Sequence, residues 1–427
     1  MNGERVVVTG VGVVSPLALD SAGHFARWLA GESAVTLIEH PLYEENARQL
    51  QAPVRAYDRR QTIDSRMLRK LLSPSAGYAV GAAGEALQMA GLTGASDVLE
   101  QCGLYVGSLS LEIDPGVFIP PLRASLDKAG NFDISLFARR GMKLIDPLFL
   151  VKALPNAGVC GISVQHQILG PNINLTNGPT SGLAALALAD GAIRRGEAAC
   201  ALVAGYDTLL GVDSFVEHFI AGRLSTRYDS PAGACRPFDR ERDGYVLGEG
   251  AACVLLESAG HARRRGAEPL AEILALGQAT AVAALRPQNG RDGRGLSQAA
   301  GQALRAGGCE PARLGALFMD GLGTAEDDIR EAQVAHEVTG GAPVPVTAAT
   351  PAIGYTGAAG GLFSLVHALL ALRAQVIPPL ANYRQPDPNC PIHCLAEAGR
   401  GSYDRALVWN SDRGVKNLAV LLGRAVS

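Results

Sequence analysis

The stretch from Asn172 to Arg195 constrains the fold more than any other part of the chain, and it reads NINLTNGPTSGLAALALADGAIRR. A short strand-like run ends at an Asn177-Gly178 pair, which favours a tight turn. An alanine- and leucine-rich helix is expected to begin at Pro179 or Thr180 and to end at Arg195, because proline is tolerated at the first helical position, where no N–H partner is needed. The stretch therefore predicts a strand, a sharp turn and a buried helix.

A strand that enters a helix through a sharp turn is a common support for a nucleophile. The apex of this turn is Pro179, which has no nucleophilic group. Thr180 and Ser181 follow it, and a hydroxyl can act as a nucleophile only with a general base in reach. The pattern indicates either a strand–turn–helix of the catalytic type whose turn residue cannot react, or a nucleophile shifted by one or two residues.

The composition limits the classes of function. The 427 residues, of which 48% are hydrophobic, could form two or three domains or one large duplicated α/β body. A net charge of −3 argues against a nucleic-acid partner. The eight cysteines show no zinc-site spacing, and GVGVVSP lacks the third glycine of a dinucleotide fingerprint. We therefore expect no metal and no cofactor.

The chain also lacks signals for export or membrane insertion. A strand is predicted from Val6 to Val14, so close to the start that no room remains for a signal peptide. We identify no run of about 18 apolar residues, the length that a spanning helix needs. The sequence thus predicts a cytoplasmic protein with no membrane contact and with reduced thiols.

The order of the predicted elements repeats. Strands and helices follow a β-α-β-α-β-α-β-β rhythm twice, and the boundary lies near residue 260. We predict an N-terminal half at 1–260 and a C-terminal half at 261–427, with two α/β sheets packed through shared helices. In the second half, a long apolar helix is expected from Gly357 to Ala374, and it carries His367 in an apolar pattern that predicts a buried, hydrogen-bonded side chain.

Four segments resemble a known family in their order and spacing. They are VVVTGVGVVSP, PTSGLAALALADGAIRRGEA, RLSTRYDSPAGACRPFDRERDGYVLGEGAA and GYTGAAGGLFSLVHALLALRAQVIPP, and together they are similar to β-ketoacyl-acyl-carrier-protein synthases of the elongating type. The resemblance implies a thiolase-like duplicated α/β fold, five-layered αβαβα with two mixed sheets. It also implies two-fold pairing through the strand before Pro179, with these interface residues: Asn172, Ile173, Asn174, Leu175 and Thr176.

The family's chemistry uses a cysteine at a helix N-terminus, two histidines, a lysine and an oxyanion hole of two backbone N–H groups. The resemblance places the cysteine at Pro179, the histidines at Leu322 and Tyr355, and the lysine at Thr350. Proline also lacks the N–H that the nucleophile contributes, and the loop expected to give the other donor reads NSDRGVKN. Because all four side chains are replaced, no condensation is expected here.

A ketosynthase-like chain without this chemistry resembles the chain length factor, or ketosynthase β-subunit, of type II polyketide systems. Such a subunit pairs with a catalytic ketosynthase α-subunit and meets the acyl carrier protein through that complex. The class often has glutamine in place of the cysteine, so Pro179 departs from it and removes the argument for a residual decarboxylase role. Two alternatives stay open: a homodimeric acyltransferase or thioester hydrolase that uses Thr180, Ser181 or a displaced cysteine, and a scaffold that binds acyl carriers.

The segment from Leu109 to Leu150 is long and poorly periodic, which is typical of a functional or interface segment. The resemblance places it across the dimer interface, along the partner's acyl tunnel. Four side chains are candidates for the floor of that cavity: Leu111, Ile113, Val117 and Phe118. Ordinary interface packing would use the same side chains.

Overall fold

The computed structural model describes residues 4–39, 48–108, 115–282 and 292–425. Two of the tunnel candidates, Leu111 and Ile113, lie outside the described residues. The strands of the first half are β1 (Val6–Val14), β2 (Thr36–Glu39), β3 (Arg48–Ala52), β4 (Gly103–Gly107), β5 (Asn172–Leu175), β6 (Cys200–Thr208) and β7 (Leu247–Ser258). Those of the second half are β8 (Ala271–Thr280), β9 (Ala316–Met319), β10 (Pro345–Ala348), β11 (Val376–Ile377), β12 (His393–Cys394), β13 (Gly399–Arg400), β14 (Arg405–Asp412) and β15 (Lys416–Arg424).

The helices alternate with these strands. They are α1 (Ser21–Leu29), α2 (Arg66–Leu71), α3 (Pro74–Met89), α4 (Ser96–Leu99), α5 (Ile119–Arg123), α6 (Ile134–Leu136), α7 (Phe149–Ala153), α8 (Ala157–His166), α9 (Ser181–Arg194), α10 (Val212–Ile220), α11 (Ala259–Arg264), α12 (Arg294–Ala306), α13 (Ala325–Val338), α14 (Thr350–Ile353) and α15 (Gly360–Ala374). Short helical turns occupy Pro115–Val117, Phe137–Gly141, Met142–Leu144, Pro231–Gly233, Pro311–Arg313 and Gly357–Ala359.

The two halves share one strand topology. In the first, the order is β5-β4-β6-β7-β1, with the β4 pairings parallel and the β7 pairings antiparallel. In the second, the order is β10-β9-β14-β15-β8 with the same pattern. The halves join into one continuous sheet because β1 also pairs with β8, with Val6 opposite Ile273. The two predicted mixed sheets are present as these two halves, which are hydrogen-bonded into one large mixed sheet, and β11 and β13 form a separate two-stranded sheet.

Three apolar cores separate five layers. One core packs α3 and α8 on the outer face of the first half-sheet, and another packs α12 and α13 on the outer face of the second. Between the half-sheets, α9 and α15 share a core with both inner faces. The thiolase-like αβαβα fold predicted from the resemblance is confirmed.

Glycines permit the close approach of helix to strand at equivalent places in both halves. A Cβ atom on Gly12 of β1 would lie 1.9 Å from the Ala82 carbonyl oxygen of α3. A Cβ atom on Gly277 of β8 would lie 1.9 Å from the Ala299 carbonyl oxygen of α12. Any side chain would push the helix off the sheet, so both glycines are required by packing.

The long apolar helix predicted at Gly357–Ala374 lies in the core of the protein. The 18 residues Gly357–Ala374 are long and apolar enough to cross a membrane by length and composition. However, 78% of this stretch is buried inside the protein, because α15 lies in the central layer between the half-sheets. A helix that is apolar all round is the expected form of such a core element.

Candidate functional site

The site predicted around Pro179 lies where β5 turns into α9. Gly178 adopts a positive φ of 71°, as the Asn-Gly turn requires, and α9 begins at Ser181 rather than at Pro179 or Thr180. The start of α9 packs against the end of β4, where a Cβ atom on Gly107 would lie 2.4 Å from the Ser181 backbone carbon. The turn therefore holds Pro179 at a helix N-terminus, as the sequence predicts.

The two hydroxyls beside Pro179 are fully buried and bond to the turn itself. Ser181 Oγ donates to the Gly178 carbonyl at 2.6 Å and accepts from the Asn177 N–H at 2.7 Å. Thr180 Oγ1 donates to the Asn177 carbonyl at 3.0 Å and accepts from Asn177 Nδ2 at 3.2 Å. Each hydroxyl proton is committed to a backbone carbonyl, and no bond joins either hydroxyl to a histidine among those found for the described residues.

Leu322 lies on the loop between β9 and α13, half-buried against the apolar cluster that includes Leu209 and Tyr245. A carboxylate in the middle of α13 holds this loop. Glu331 accepts from the backbone N–H groups of Asp320 and Gly321 at 2.8 and 3.0 Å. These hydrogen bonds hold the loop in place, but the Leu322 side chain is apolar and can neither donate nor accept a proton.

Tyr355 is half-buried beside two other aromatic rings. Its ring centroid lies 5.1 Å from that of Tyr245 and 5.9 Å from that of His218. Burial raises the pKa of the Tyr355 hydroxyl well above its ordinary value, and Tyr245 with the carboxylates of Asp320 and Asp412 raises it further. Tyr355 is a neutral phenol at pH 7 and cannot serve as a base.

Thr350 is buried at the start of α14, and its hydroxyl donates to the Asp320 carbonyl at 2.6 Å. This bond ties α14 to the carboxyl end of β9. Asp320 in turn accepts from Asn410 Nδ2 at 2.7 Å and from the Ser411 N–H at 2.8 Å. Burial raises the pKa of Asp320 well above its ordinary value, and the neighbouring Glu331 carboxyl raises it further.

The loop after β14 offers backbone N–H groups that already have partners. Besides the Ser411 N–H, the Gly414 N–H donates to Ser411 Oγ at 2.9 Å and the Val415 N–H donates to the Asp412 carbonyl at 2.8 Å. A Cβ atom on Gly178 would lie 3.0 Å from Asp412 Oδ2, so this carboxylate lies against the turn before Pro179. A carboxylate at this place would repel an oxyanion rather than stabilise it.

The sequence did not indicate His218, which the fold brings to this site from α10. Its Nδ1 lies 2.7 Å from the Tyr245 hydroxyl, and the residue is 7% exposed. Burial, the largest cause, lowers the pKa of His218, and the charges of Arg413 and Arg223 lower it further, against the opposite effect of Glu217. The one feature of the local sequence that could have pointed to His218 is its position three residues after Phe215. That spacing is typical of ordinary helix packing and does not indicate a functional site.

The predicted interface residues form an exposed sheet edge. β5 pairs with β4 on one side, and Asn172, Ile173 and Thr176 are exposed while Asn174 and Leu175 are half-buried. Val117 and Phe118 are half-buried, and the Phe118 ring packs edge-on against Phe149 with centroids 5.3 Å apart. The large apolar side chains that are exposed within the sequence range 122–173, which we call the apolar surface, are Leu122, Leu126, Phe132, Ile134, Met142, Leu144, Leu148, Leu150, Val151, Leu154, Val164, Leu169 and Ile173.

The described residues hold no group of three or more His, Cys, Asp or Glu side chains that could bind a metal ion. Three of the cysteines that could serve as a displaced nucleophile are made unreactive by their surroundings. Burial raises the pKa of Cys235, Cys253 and Cys394 well above the ordinary thiol value. A thiolate is the nucleophilic form of cysteine, so none of these three is poised to attack a thioester.

Comparisons with known proteins agree with this architecture. Residues 3–262 match the family model "Beta-ketoacyl synthase, N-terminal domain", and residues 271–384 match "Beta-ketoacyl synthase, C-terminal domain". The chain is 31% identical to the 3-oxoacyl-[acyl-carrier-protein] synthase 2 of Coxiella burnetii over 404 residues, which cover 94% of this chain and 93% of the relative.

Solved structures show the same fold. A beta-ketoacyl synthase from Burkholderia phymatum superposes with a TM-score of 0.87 at 25% identity, covering 99% of this chain and 100% of the other. The ishigamide ketosynthase/chain length factor superposes with a TM-score of 0.84 at 23% identity, with the same coverage. With two domain models and a full-length relative in agreement, this chain belongs to the beta-ketoacyl synthase family.

Proposed function

We propose that this protein is a non-catalytic subunit of the chain-length-factor type. It would form a heterodimer with a catalytic ketosynthase α-subunit, meet the acyl carrier protein through that complex, and help to set chain length in type II polyketide or fatty-acid-like biosynthesis. The observation that carries the proposal is Pro179 at the start of α9, beside two hydroxyls that are bonded into the turn. The turn is intact and its nucleophile is absent.

The surroundings of Pro179 support the loss of chemistry independently. The positions expected to hold a base carry the apolar Leu322 and the neutral phenol Tyr355. Removing one oxyanion donor costs about 10²–10³-fold in rate, and a general acid–base group contributes about 10²–10⁴-fold. With the donors engaged and Asp412 placed against the turn, these losses combine, and no condensation is expected at a measurable rate.

The apolar surface supports a partner of the same fold. Monomeric proteins rarely leave a large contiguous apolar patch in water, and a free strand edge invites pairing with another chain. β5 is the terminal strand of the sheet among the described residues, and its Ile173 is 37% exposed, while Leu169, just before the strand, is 61% exposed. A stable interface buries about 1,200–2,000 Å² in total, which needs many such side chains on each partner.

One finding favours the enzymatic alternative. The curated relative at 31% identity is named as a synthase, and a homodimeric acyltransferase or hydrolase would use the same fold and surface. The two proposals differ in whether this chain takes an acyl group covalently. They also differ in whether its partner is a second copy or a cysteine-bearing ketosynthase.

Native mass spectrometry separates the two. The chain would be expressed alone and with a cysteine-bearing beta-ketoacyl synthase from the same genome, and each sample would be incubated with an acyl-acyl-carrier protein. We expect a one-to-one complex in which acylation occurs only on the partner. A stable homodimer of this chain carrying its own acyl adduct would overturn the proposal.

A matched pair of variants tests the surface. Ile173→Asp adds a charge to the edge of β5 and is expected to abolish the complex. Val282→Asp, at an exposed position in the other half of the fold, is the control and should leave the complex intact. If both variants still pair with the ketosynthase, the interface lies elsewhere.

A further inference from the structure

A chain of hydrogen bonds between imidazoles crosses the core where α1 meets α15. His24 and His367 are both fully buried, and their Nε2 atoms lie 2.5 Å apart. The other ring nitrogen of His24, Nδ1, lies 2.6 Å from Ser15 Oγ. The pair joins the N-terminal part of the chain to the central helix of the second half.

The direction of these bonds follows from the single proton of the Ser15 hydroxyl. Ser15 Oγ accepts from the Leu17 and Ala18 N–H groups at 3.2 Å each, which fill its two acceptor sites, so it donates its one proton to His24 Nδ1 at 2.6 Å rather than to the Ala18 carbonyl at 3.1 Å. Neutral His24 then carries its proton at Nε2 and donates it to His367 Nε2. Neutral His367 carries its proton at Nδ1, which is buried and without a hydrogen-bond partner among the described residues.

The surroundings of the pair disfavour a positive charge. Trp28 stacks on His367 with centroids 3.7 Å apart, and Phe363 stacks on His24 at 5.9 Å. Arg27 is the charged side chain that acts on the pair from α1, and its Nε donates to Glu32 at 2.7 Å. Burial, and then the charge of Arg27, lower the pKa of His24 to about 3, and burial and then His24 lower the pKa of His367 well below its ordinary value.

We propose that the Ser15–His24–His367 chain is an acid-sensitive lock between α1 and α15. The lock is closed when both rings are neutral, and a proton from solvent that binds either ring takes the lone pair that accepts a bond in the chain, places an uncompensated charge in the core and opens it. α15 begins at Gly360, five residues after Tyr355, so opening the lock loosens the segment that shapes the functional site. This proposal does not depend on the assignment of function above.

The sign of the pH dependence follows from these directions. In the unfolded chain a histidine binds a proton below about pH 6.5, whereas in the folded core both rings stay neutral to much lower pH. The unfolded state therefore binds more protons on acidification. The contribution of the pair to stability is complete above about pH 6.5 and is lost as the pH falls toward 3.

Nitrogen-15 NMR of the full chain, labelled at histidine, tests the bond directions directly. At pH 7.5 we expect the Nε2–H tautomer for His24 and the Nδ1–H tautomer for His367, because the bond from Ser15 imposes them. The reverse tautomer on either ring, or a charged ring, would overturn the lock. This measurement needs no variant.

Urea unfolding tests the consequence. When the pH falls from 7 to 5, each histidine that stays neutral in the folded state but binds a proton in the unfolded state raises the unfolding equilibrium constant about 25-fold, and the pair raises it about 600-fold. The double variant His24→Leu/His367→Leu removes both partners together and should lose this 600-fold change, while His336→Leu, at an exposed position, should keep it. An equal pH dependence in all three proteins would refute the proposal, and if the double variant does not fold, the tautomers decide.

Discussion

Replacing Ser181 with alanine distinguishes a structural hydroxyl from a displaced nucleophile. The variant loses the 2.6 Å bond to the Gly178 carbonyl and the 2.7 Å bond from the Asn177 N–H. The Gly178 carbonyl keeps the Ser181 N–H at 3.0 Å, but the Asn177 N–H loses its acceptor. With about 1 kcal/mol for each bond and a further cost for the unpaired N–H, we expect the free energy of unfolding to fall by about 2–3 kcal/mol.

Thr180→Val is the matched control, because it has nearly the same shape and loses the bond to the Asn177 carbonyl and the bond from Asn177 Nδ2, but leaves no backbone N–H without an acceptor. It should cost about 1–2 kcal/mol. Urea unfolding measures both values, and hydrolysis of an acyl-carrier thioester measures activity in the same samples. We expect Ser181→Ala to be the less stable variant and the background hydrolysis to stay unchanged in both.

The opposite result has a clear meaning. If Ser181→Ala lowers hydrolysis by 10² or more while its unfolding free energy stays within about 0.5 kcal/mol of the wild type, Ser181 is a nucleophile. The hydroxyl would then have to leave the turn and meet a base. That outcome would refute the structural interpretation of the turn and favour the hydrolase alternative.

Three further predictions follow from the same geometry. Pro179→Cys is expected to give a thiol that an alkylating reagent modifies but no condensation with malonyl-acyl-carrier protein, because Leu322, Tyr355 and the loop after β14 are unchanged; elongated product from this single variant would contradict the proposed function. Gly277→Ala should destabilise the protein by about 3 kcal/mol or more, roughly the cost of an overpacked core, because its Cβ would lie 1.9 Å from the Ala299 carbonyl oxygen. Gly301→Ala on α12 is the control, because its Cβ meets only the flexible Arg305 side chain. Thermal unfolding should show no effect of the control. Phe118→Ala, which removes the ring packed on Phe149, should lengthen the products of the heterodimer if Phe118 limits the cavity, as measured by mass spectrometry. Val282→Ala, at an exposed position outside the apolar surface, serves as its control.

The best-predicted part of the chain is the one governed by local rules. The strand, the Asn-Gly turn and the alanine-rich helix around Pro179 appear as expected, because the turn residues and the apolar pattern act within a few residues of each other. The run Ser21–Leu29 predicts a helix, and α1 has these bounds, with the Asp20 carboxylate accepting from the Gly23 N–H. The alanine-rich run Gly77–Leu92 also predicts a helix, but α3 spans Pro74–Met89, because Ser73 supplies the cap and Pro74 the first position.

The surroundings of the site could not be predicted in the same way. His218 reaches Tyr245 across 27 residues, and Glu331 holds the loop that carries Leu322 through backbone N–H groups. Neither contact leaves a periodic or spacing signal, because the partners are set by how α10 and α13 pack on the sheet. The position of α15 in the central layer also depends on tertiary packing, since an apolar helix has a similar composition in a protein core and in a membrane.

The sequence by itself determined the order of the elements, the duplication and the absence of a nucleophile at Pro179, because these depend on residue identity and near neighbours. Only the tertiary structure decided what the remaining polar groups do. It bonded the Ser181 hydroxyl into the turn, brought Asp412 against Gly178, and joined His24 to a histidine 343 residues away. A hydrogen bond depends on distance and direction in space, and both are set by how the two halves pack on their shared helices.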